Sequence, residues 1–217
     1  MQTIQALFSF ILHIDTHLIA FVKTYGALTY ILLFLIIFCE TGIIFLAFLP
    51  GDSLLFATGA IAANSTSNLN VHALFLLLVI ASVTGNGVNY FAGKWIGTNA
   101  AGNSWFLSKK NIAKAHYFYE RYGGKTIIIA RFIPIVRTVA PFIAGIGYMT
   151  YRQFFIYNLA GALLWIGGLV YGSYLFGNIP FVKQHFSLVI LAIIFLSLTP
   201  PIIEVVRHKL KRRGSIS

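Results

Sequence analysis

The chain has 217 residues, of which 58% are hydrophobic and only 10% are charged, whereas an ordinary soluble domain carries roughly a quarter charged residues. So few charges cannot cover the surface of a soluble globule. The apolar residues fall into several runs of about 20, the length that a bilayer core requires. The composition therefore excludes an ordinary soluble protein and predicts an all-α integral membrane protein that crosses the bilayer several times.

The net charge of +11 would suggest a nucleic-acid partner in a soluble protein, but here the basic residues lie between and after the apolar runs. Such clusters are typical of cytoplasmic segments of membrane proteins and attract anionic headgroups. We therefore expect both clusters in the cytoplasm and no nucleic-acid partner. The clusters consist of Lys94, Lys109, Lys110, Lys114, Arg121 and Lys125, and of Arg207, Lys209, Lys211, Arg212 and Arg213.

The N-terminal segment, residues 1–25, is predicted to form a helix. Its apolar stretch at 3–22 contains His13, Asp15 and His17, so two placements stay open: across the bilayer or along its interface. The segment lacks the basic start and the small-residue cleavage site of a signal peptide. We expect it to remain in the mature protein.

Residues 27–93 are predicted to form a helical hairpin followed by a full span. The apolar tract at 27–63 is interrupted by Pro50 and Gly51, which favour a break in a helix. An uninterrupted apolar run then occupies 72–93, long enough to cross the bilayer. This first unit thus combines one broken tract with one span.

Residues 94–125 are predicted to form a basic amphipathic connection on the cytoplasmic headgroups, because the segment contains a mixture of lysines and aromatic residues. The connection ends at the pair Gly123 and Gly124. At the other end of the chain, a last span is predicted at 185–206, followed by the basic cytoplasmic tail at 207–217.

Residues 126–176 are predicted to repeat the plan of the first unit. The apolar tract at 126–150 contains Pro134 and Pro141 as breaks, and 154–176 is an uninterrupted span. This second unit again joins a broken tract to a span.

Charge distribution then constrains the topology. If both basic segments are cytoplasmic, an even number of crossings separates them. The spans at 154–176 and 185–206 supply two, so the tract at 126–150 must enter and leave on the same side, as a re-entrant hairpin. The tract at 27–63 has the same character and should open to the opposite face. Two inverted units with broken helices are a recurring transporter plan, in which the hairpin tips meet at a shared cavity.

Four charged residues lie inside the broken tracts: Glu40 and Asp52 in the first, Arg131 and Arg137 in the second. A charge at mid-bilayer costs ~2.5 to 3.5 kcal/mol on insertion scales, so four unpaired charges cost on the order of 10 kcal/mol. They therefore cannot face lipid. On straight helices the two acids would lie ~18 Å apart along the axis, but folding each tract back at its break brings its charges to one tip. The breaks and the charges together predict a shared polar site.

Two interpretations of these charges stay open. In one, they form buried ion pairs that lock the hairpins together. In the other, which we favour, they form a functional site, because buried ion pairs seldom repay their desolvation. An arginine fork suits a phosphate, as do free N–H groups of an interrupted helix. A carboxylate in a low-dielectric cavity suits proton exchange. We expect a phosphate-bearing headgroup as ligand, with proton coupling as a further hypothesis.

Other residues give no sign of a metal, a cofactor or an enzyme. Cys39 is the only cysteine, and the six histidines are scattered without metal-ligand spacing, so we expect no thiolate cluster and no metal site. No Ser-His-acid or P-loop constellation is present. The sequence therefore predicts a protein that is not an enzyme.

Two long motifs, ETGIIFLAFLPGDSLLFATGA at 40–60 and GGKTIIIARFIPIVRTVAPFIAGIGYM at 123–149, closely resemble those of the bacterial DedA family, which carries the SNARE-associated or VTT-type domain. The likeness continues through GNGVNYFAGKWIG and YRQFFIYNLAGALLW and covers nearly the whole chain. It implies an inner-membrane protein with facing re-entrant hairpins. It also implies that the essential acids and arginines of the family correspond to Glu40, Asp52, Arg131 and Arg137.

The resemblance further implies a role in envelope homeostasis and in moving lipids such as undecaprenyl phosphate or phosphatidylethanolamine between leaflets. A lipid transporter of the bacterial inner membrane, with a cytoplasmic C-terminus, is therefore the leading hypothesis. The alternatives are a proton-coupled exporter of small ions and a membrane scaffold that transports nothing. The identity of the lipid and the oligomeric state, with a homo-oligomer among the alternatives, stay open.

Overall fold

The computed structural model describes residues 25–46, 51–63, 67, 69–99, 117, 119, 121–177 and 179. Every regular element in these ranges is helical, which confirms the predicted all-α class. The predicted N-terminal helix at 3–22, the last span at 185–206 and the tail at 207–217 lie outside the described residues. Most of the basic connection lies outside them too.

The first unit consists of three helices and a short 3-10 turn. Helix α1 covers Leu28–Gly42, the 3-10 turn covers Ile44–Leu46, α2 covers Gly51–Ala62 and α3 covers Val71–Asn99. The predicted break at Pro50 and Gly51 therefore begins earlier than expected. Helix α1 already ends at Gly42. The backbones of α1 and α3 are so close there that a Cβ added to Gly42 would lie 3.3 Å from the backbone of Gly85.

The second unit has the same order of a short helix, a second short helix and a long one. Helix α4 covers Lys125–Ala130, α5 covers Pro134–Ile146 and α6 covers Tyr151–Phe176. The break between α4 and α5 follows from Pro134, which opens α5 at its first turn, where a missing N–H costs nothing. The residue before a proline is pushed out of the helical region, and Ile133 is indeed extended, with φ −116° and ψ 109°.

Pro141 was predicted as a second break in this tract, and that prediction is wrong. It lies inside α5, which continues to Ile146. A proline within a helix removes one hydrogen bond and strains the preceding turn. The close packing of α5 along α3 compensates for this loss and keeps the helix continuous.

The basic connection also begins later than the predicted residue 94. Helix α3 continues to Asn99, so Lys94 and the 68% exposed Trp95 lie on the long helix itself. The extension is packed rather than free. A Cβ on Gly97 would lie 3.2 Å from Ile146 Cα, so the last turn of α3 rests against the end of α5.

Two of the described helices are long and apolar enough to cross a membrane. They are Val71–Thr98, with 28 residues and a mean hydropathy of 1.9, and Tyr151–Phe176, with 26 residues and a mean hydropathy of 1.6. Helices of this length measure about 40 Å, more than the roughly 30 Å of a hydrocarbon core. Helices α1, α2 and α5 have 15, 12 and 13 residues, so each alone is too short to span it.

The long helices expose apolar side chains and bury several polar ones. Leu76, Ile80 and Phe91 of α3 are more than half exposed, as is Leu164 of α6. In contrast, the serine Ser82 and the asparagines Asn86 and Asn89 near the middle of α3 are buried. This inverted distribution is the one that lipid requires, because a polar side chain is stable at membrane depth only inside the bundle.

The second short helix of each unit packs on the long helix of the other unit, so the two units exchange their second helices. Helix α1 packs on α3 and α4 packs on α6, so the first short helix of each unit contacts the long helix of its own unit. Helix α2, however, packs on α6, and α5 packs on α3. Each unit thus covers part of the other.

Two glycines allow the close contact of α3 with α5. A Cβ added to Gly93 would lie 2.9 Å from the carbonyl carbon of Phe142 and closer still to its oxygen. A Cβ on Gly145 would meet the backbone of Tyr90 and Gly93 in the same way. Small residues commonly bring helix backbones together in membranes, and here they allow the C-terminal half of α5 to lie close to α3.

We predict that Gly93→Ala lowers the melting temperature of the purified protein in detergent by several degrees, because overpacking a tight contact costs about 1–3 kcal/mol. Gly87→Ala is the matched control on the same helix, since a Cβ there meets nothing within 4 Å. Alanine is favoured over glycine in a helix by up to ~1 kcal/mol, so the control should be neutral or stabilising. Equal effects of both variants would contradict the close contact.

Candidate functional site

Arg137 binds both acids of the first unit. Its Nη1 donates to Asp52 Oδ1 at 2.7 Å, and its Nη2 donates to Glu40 Oε1. The guanidinium is 4% exposed, Glu40 is fully buried and the Asp52 side chain is 17% exposed. One arginine from the first turn of α5 therefore joins the end of α1 to the start of α2.

The backbone at the start of α2 is built around Glu40. A Cβ added to Gly51 would lie 2.5 Å from the Glu40 carboxyl carbon and closer to one of its oxygens. Only glycine leaves room for the carboxylate at this position. Gly51, which was predicted as part of a hairpin break, thus begins α2 and leaves room for the Glu40 carboxylate. Its neighbour Pro50, predicted as part of the same break, lies outside the described residues.

Trp165 connects the acids with both arginines. Its Nε1 donates to Asp52 Oδ1 at 3.1 Å. The guanidinium carbons of Arg137 and Arg131 lie 4.9 and 6.0 Å from the centre of its ring, within the range of cation–π contacts. Trp165 is 4% exposed and comes from the middle of α6. It is not among the predicted site residues, although a tryptophan far from the ends of a span, where the interface would attract it, is a usable signal.

The hydrogen-bond partners of Arg131 are neutral. Arg131 directly follows α4, and it donates to Ser82 Oγ at 2.6 Å and to Asn158 Oδ1 at 2.5 Å. The residue is 2% exposed. A Cβ on Gly161 would lie 2.8 Å from Arg131 Cδ, so the glycine of α6 makes room for the side chain.

A polar stripe on α3 supports both arginines. Ser82, Asn86 and Asn89 follow one face of the helix, and all three are buried. Asn89 Nδ2 donates to Thr138 O at 2.6 Å and to Thr41 O at 3.4 Å, so it fixes the backbone beside Arg137 and beside Glu40. This stripe was not predicted, although polar side chains at helical spacing inside an apolar span indicate a polar interior.

The structure places the four predicted charges around one tryptophan. Glu40, Asp52 and Arg137 are in direct contact, and Arg131 lies beside them on the same ring. A cavity of about 240 Å³ lies at the turn between α5 and α6 and is lined by Tyr119, Gly123, Gly147, Tyr148, Met149, Thr150 and Gln153.

Metal ligands do not gather in the described ranges: no three His, Cys, Asp or Glu side chains come together there. The candidate site is instead an ionic and hydrogen-bonded cluster. Its chemistry is that of anion recognition by guanidinium groups and of proton exchange at carboxylates.

Comparison with known proteins adds a family to this geometry. Residues 49–175 match the VTT domain. The chain is also 50% identical over 211 residues to "Protein DedA" of Escherichia coli K12, with 96% of each chain covered. The chain belongs to the DedA family.

More distant members of the DedA family are similar over most of the chain. The uncharacterized membrane protein Rv0364 of Mycobacterium tuberculosis H37Rv is 38% identical over 183 residues, covering 83% of this chain and 80% of its own. The inner membrane protein YqjA of Escherichia coli K12 is 35% identical over 153 residues, covering 70% and 69%. No solved structure matches the chain. The protein is thus a DedA-family membrane protein, and its VTT segment contains Asp52, Arg131, Arg137 and Trp165.

We predict that Trp165 and Asp52 are energetically coupled. Trp165→Phe keeps an aromatic ring, though a smaller one, but removes the N–H donor, and a hydrogen bond to a charged group contributes about 1.5–3 kcal/mol. In a double-mutant cycle with Asp52→Asn, followed by denaturation in detergent, the two losses should fall short of additivity by about 1 kcal/mol. Trp95→Phe, at a 68% exposed position of α3, serves as the control. Additive effects of Trp165→Phe and Asp52→Asn would contradict the contact.

Proposed function

We propose that the protein is a lipid transporter that moves a phosphate-bearing lipid, such as undecaprenyl phosphate or a phospholipid, between the leaflets of the bacterial inner membrane. The observation that carries the proposal is the buried cluster of two acids and two arginines at the breaks of both units. The names of the family members, among them an inner membrane protein, support the location. The proposal assigns no enzymatic reaction and places the C-terminus in the cytoplasm.

Four charges at membrane depth are expensive, and their arrangement favours a role beyond stability. Replacing buried ion pairs with apolar side chains is often neutral or stabilising, so a purely structural link between α1, α2 and α5 does not need them. A polar headgroup, however, crosses a hydrocarbon core only if the protein supplies charges and hydrogen bonds along its path. The cluster and the polar stripe of α3 supply both.

The packing of the helices supports two inverted re-entrant units around this path. Helices α1, α2 and α5 are each too short to span the core, and the break between α4 and α5 leaves the extended residue Ile133 between two helices. Such backbone is tolerated in membranes only where protein or a polar cavity covers it. The exchange of α2 and α5 between the long helices is the contact pattern expected of two related units that face each other, as in transporters with repeated folds.

Competition for the Arg137 guanidinium can link headgroup binding to proton movement. The fork of this guanidinium is occupied by Glu40 and Asp52, so a phosphate must compete with carboxylates for the same donors. Protonation of Glu40 removes one of these two charges and frees part of the fork. Proton movement and headgroup binding are then linked, because both act on the same guanidinium.

A second candidate, a proton-coupled exporter of small cations, follows from the convergence of both carboxylates at one point. In that case the two acids bind the cation that is transported. Arg137 pairs with the acids whenever no cation is bound. Reconstitution separates the two candidates, since one requires lipid movement and the other requires ion flux.

We predict that cysteines placed at residues 110 and 212, in a Cys39→Ala background, are both labelled from the cytoplasmic side. The re-entrant model requires an even number of crossings between these positions. Membrane-impermeant maleimide labelling of oriented vesicles measures their accessibility. Labelling from opposite faces would mean that the tract at 126–150 crosses the membrane, and the model of two re-entrant units would then be wrong.

We predict that liposomes containing the purified protein move labelled undecaprenyl phosphate or phospholipid between leaflets, and that Arg137→Lys abolishes most of this activity. Lysine keeps the charge but cannot bind two oxygens in parallel. Glu40→Gln should have a similar effect on transport if a proton must be exchanged there, since the amide keeps the shape but does not titrate.

The melting temperature of each variant in detergent provides the control. Transport that falls while stability stays near the wild-type value supports a site. Transport that falls only in proportion to stability indicates that the charges chiefly hold the helices together. Proton or cation flux without lipid movement favours the second candidate, and neither activity favours a scaffold.

A further inference from the structure

The two buried arginines have different surroundings. Arg137 is bound to two carboxylates, whereas the hydrogen-bond partners of Arg131 are neutral, among them the hydroxyl of Ser82 and the amide oxygen of Asn158. Within the ranges that the structure describes, Arg131 makes no ion pair, and its buried Nε has no hydrogen-bond partner. Its surroundings therefore orient the guanidinium without neutralising it.

Asn158 is itself held in place from α3. Its Nδ2 donates to Val83 O at 3.1 Å, and its Oδ1 accepts from Arg131. The Asn86 amide, oriented to suit its neighbours, donates to Thr41 O at 3.1 Å and its oxygen accepts from Arg131 Nη2 at 2.9 Å. A network of neutral acceptors thus fixes the direction of one cation.

A buried arginine with a purely structural role is usually paired with a carboxylate, because desolvation of an unpaired charge costs several kcal/mol. Here both nearby acids are bound to Arg137. The arrangement retains a positive charge beside the cluster, which suits a ligand that brings its own negative charge.

The turn that carries Arg131 also faces outward. Phe132 and Ile133 are 58% and 37% exposed, while Arg131 points into the bundle. A lipid beside this turn can keep its acyl chains against the apolar side chains while its headgroup reaches inward. The position therefore suits a ligand that is half apolar and half anionic.

We infer that Arg131 is a fixed phosphate anchor of the transport path, and that Ser82 and Asn158 are positioning residues which hold it without cancelling its charge. Arg137, in contrast, is the arm that exchanges carboxylates for phosphate. The inference rests on the proposed function and names the part of the site that receives the headgroup first.

The test is Asn158→Asp, which keeps the oxygen that Arg131 contacts and adds a negative charge. The new carboxylate at position 158 then neutralises the Arg131 guanidinium that it orients. Binding of dioctanoyl phosphatidic acid, measured by thermal shift and by titration in detergent, should weaken by more than about tenfold, the equivalent of one charge-assisted hydrogen bond. Dioctanoylglycerol, which lacks the phosphate, should bind neither protein, and inorganic phosphate shows whether the anchor needs a lipid.

Asn70→Asp is the matched control. Asn70 caps α3, with its Oδ1 accepting from the N–H groups of His72 and Ala73 at 2.9 and 3.1 Å, and aspartate keeps both bonds. It adds the same charge away from the cluster and should leave phosphatidic acid affinity unchanged. If Asn158→Asp does not fold, Ser82→Ala replaces it, with weaker binding and a raised apparent KM for lipid transport at unchanged maximal rate as the expected result.

The outcomes separate the anchor from the proposed function. If the folded Asn158→Asp variant binds phosphatidic acid with wild-type affinity, or if the wild-type protein does not bind it, Arg131 is not the anchor, even when liposomes show lipid transport. If binding depends on Asn158 but liposomes show no lipid movement, the anchor stands and the transport function fails.

Discussion

The arrangement of the candidate site depends on a guanidinium buried between two carboxylates. Arg137 reaches Glu40 at the end of α1 and Asp52 at the start of α2, so one side chain from α5 sets where the ends of two other short helices meet. The low dielectric of the surroundings strengthens these ionic contacts and makes every unpaired group costly. The neighbouring residues follow from that constraint: Gly51 leaves room, Trp165 donates to Asp52 and covers the cation, and Asn89 fixes the two backbones beside it.

Interrupted helices are what makes such a cluster attainable. A continuous helix presents charges along its length, whereas a break brings its two ends to one place. Pro134 produces one break through the geometry of the residue that precedes it, and Gly42 and Gly51 frame the other. The long helices α3 and α6 then act as the frame on which the short helices rest, one from each unit.

Several of these features could be predicted from the sequence. The four charges stood out because charge is rare in apolar tracts, and the spans near 72–93 and 154–176 were evident from length and hydropathy. The effect of Pro141 could not be predicted, because a proline breaks a helix only when packing does not compensate, and the packing partner, α3, lies far away in the sequence. Trp165 and Asn158 were missed for the same reason: an apolar-looking span does not reveal which of its residues faces a charge.

The exchange of α2 between the units has a consequence for biogenesis. Helix α2 rests on α6, which is synthesised after it. Until the second unit is made, Asp52 has neither Arg137 nor Trp165 as a partner, and Glu40 lacks Arg137. The first unit therefore stays incompletely packed until the second is synthesised, and its completion requires the docking of α2 onto α6.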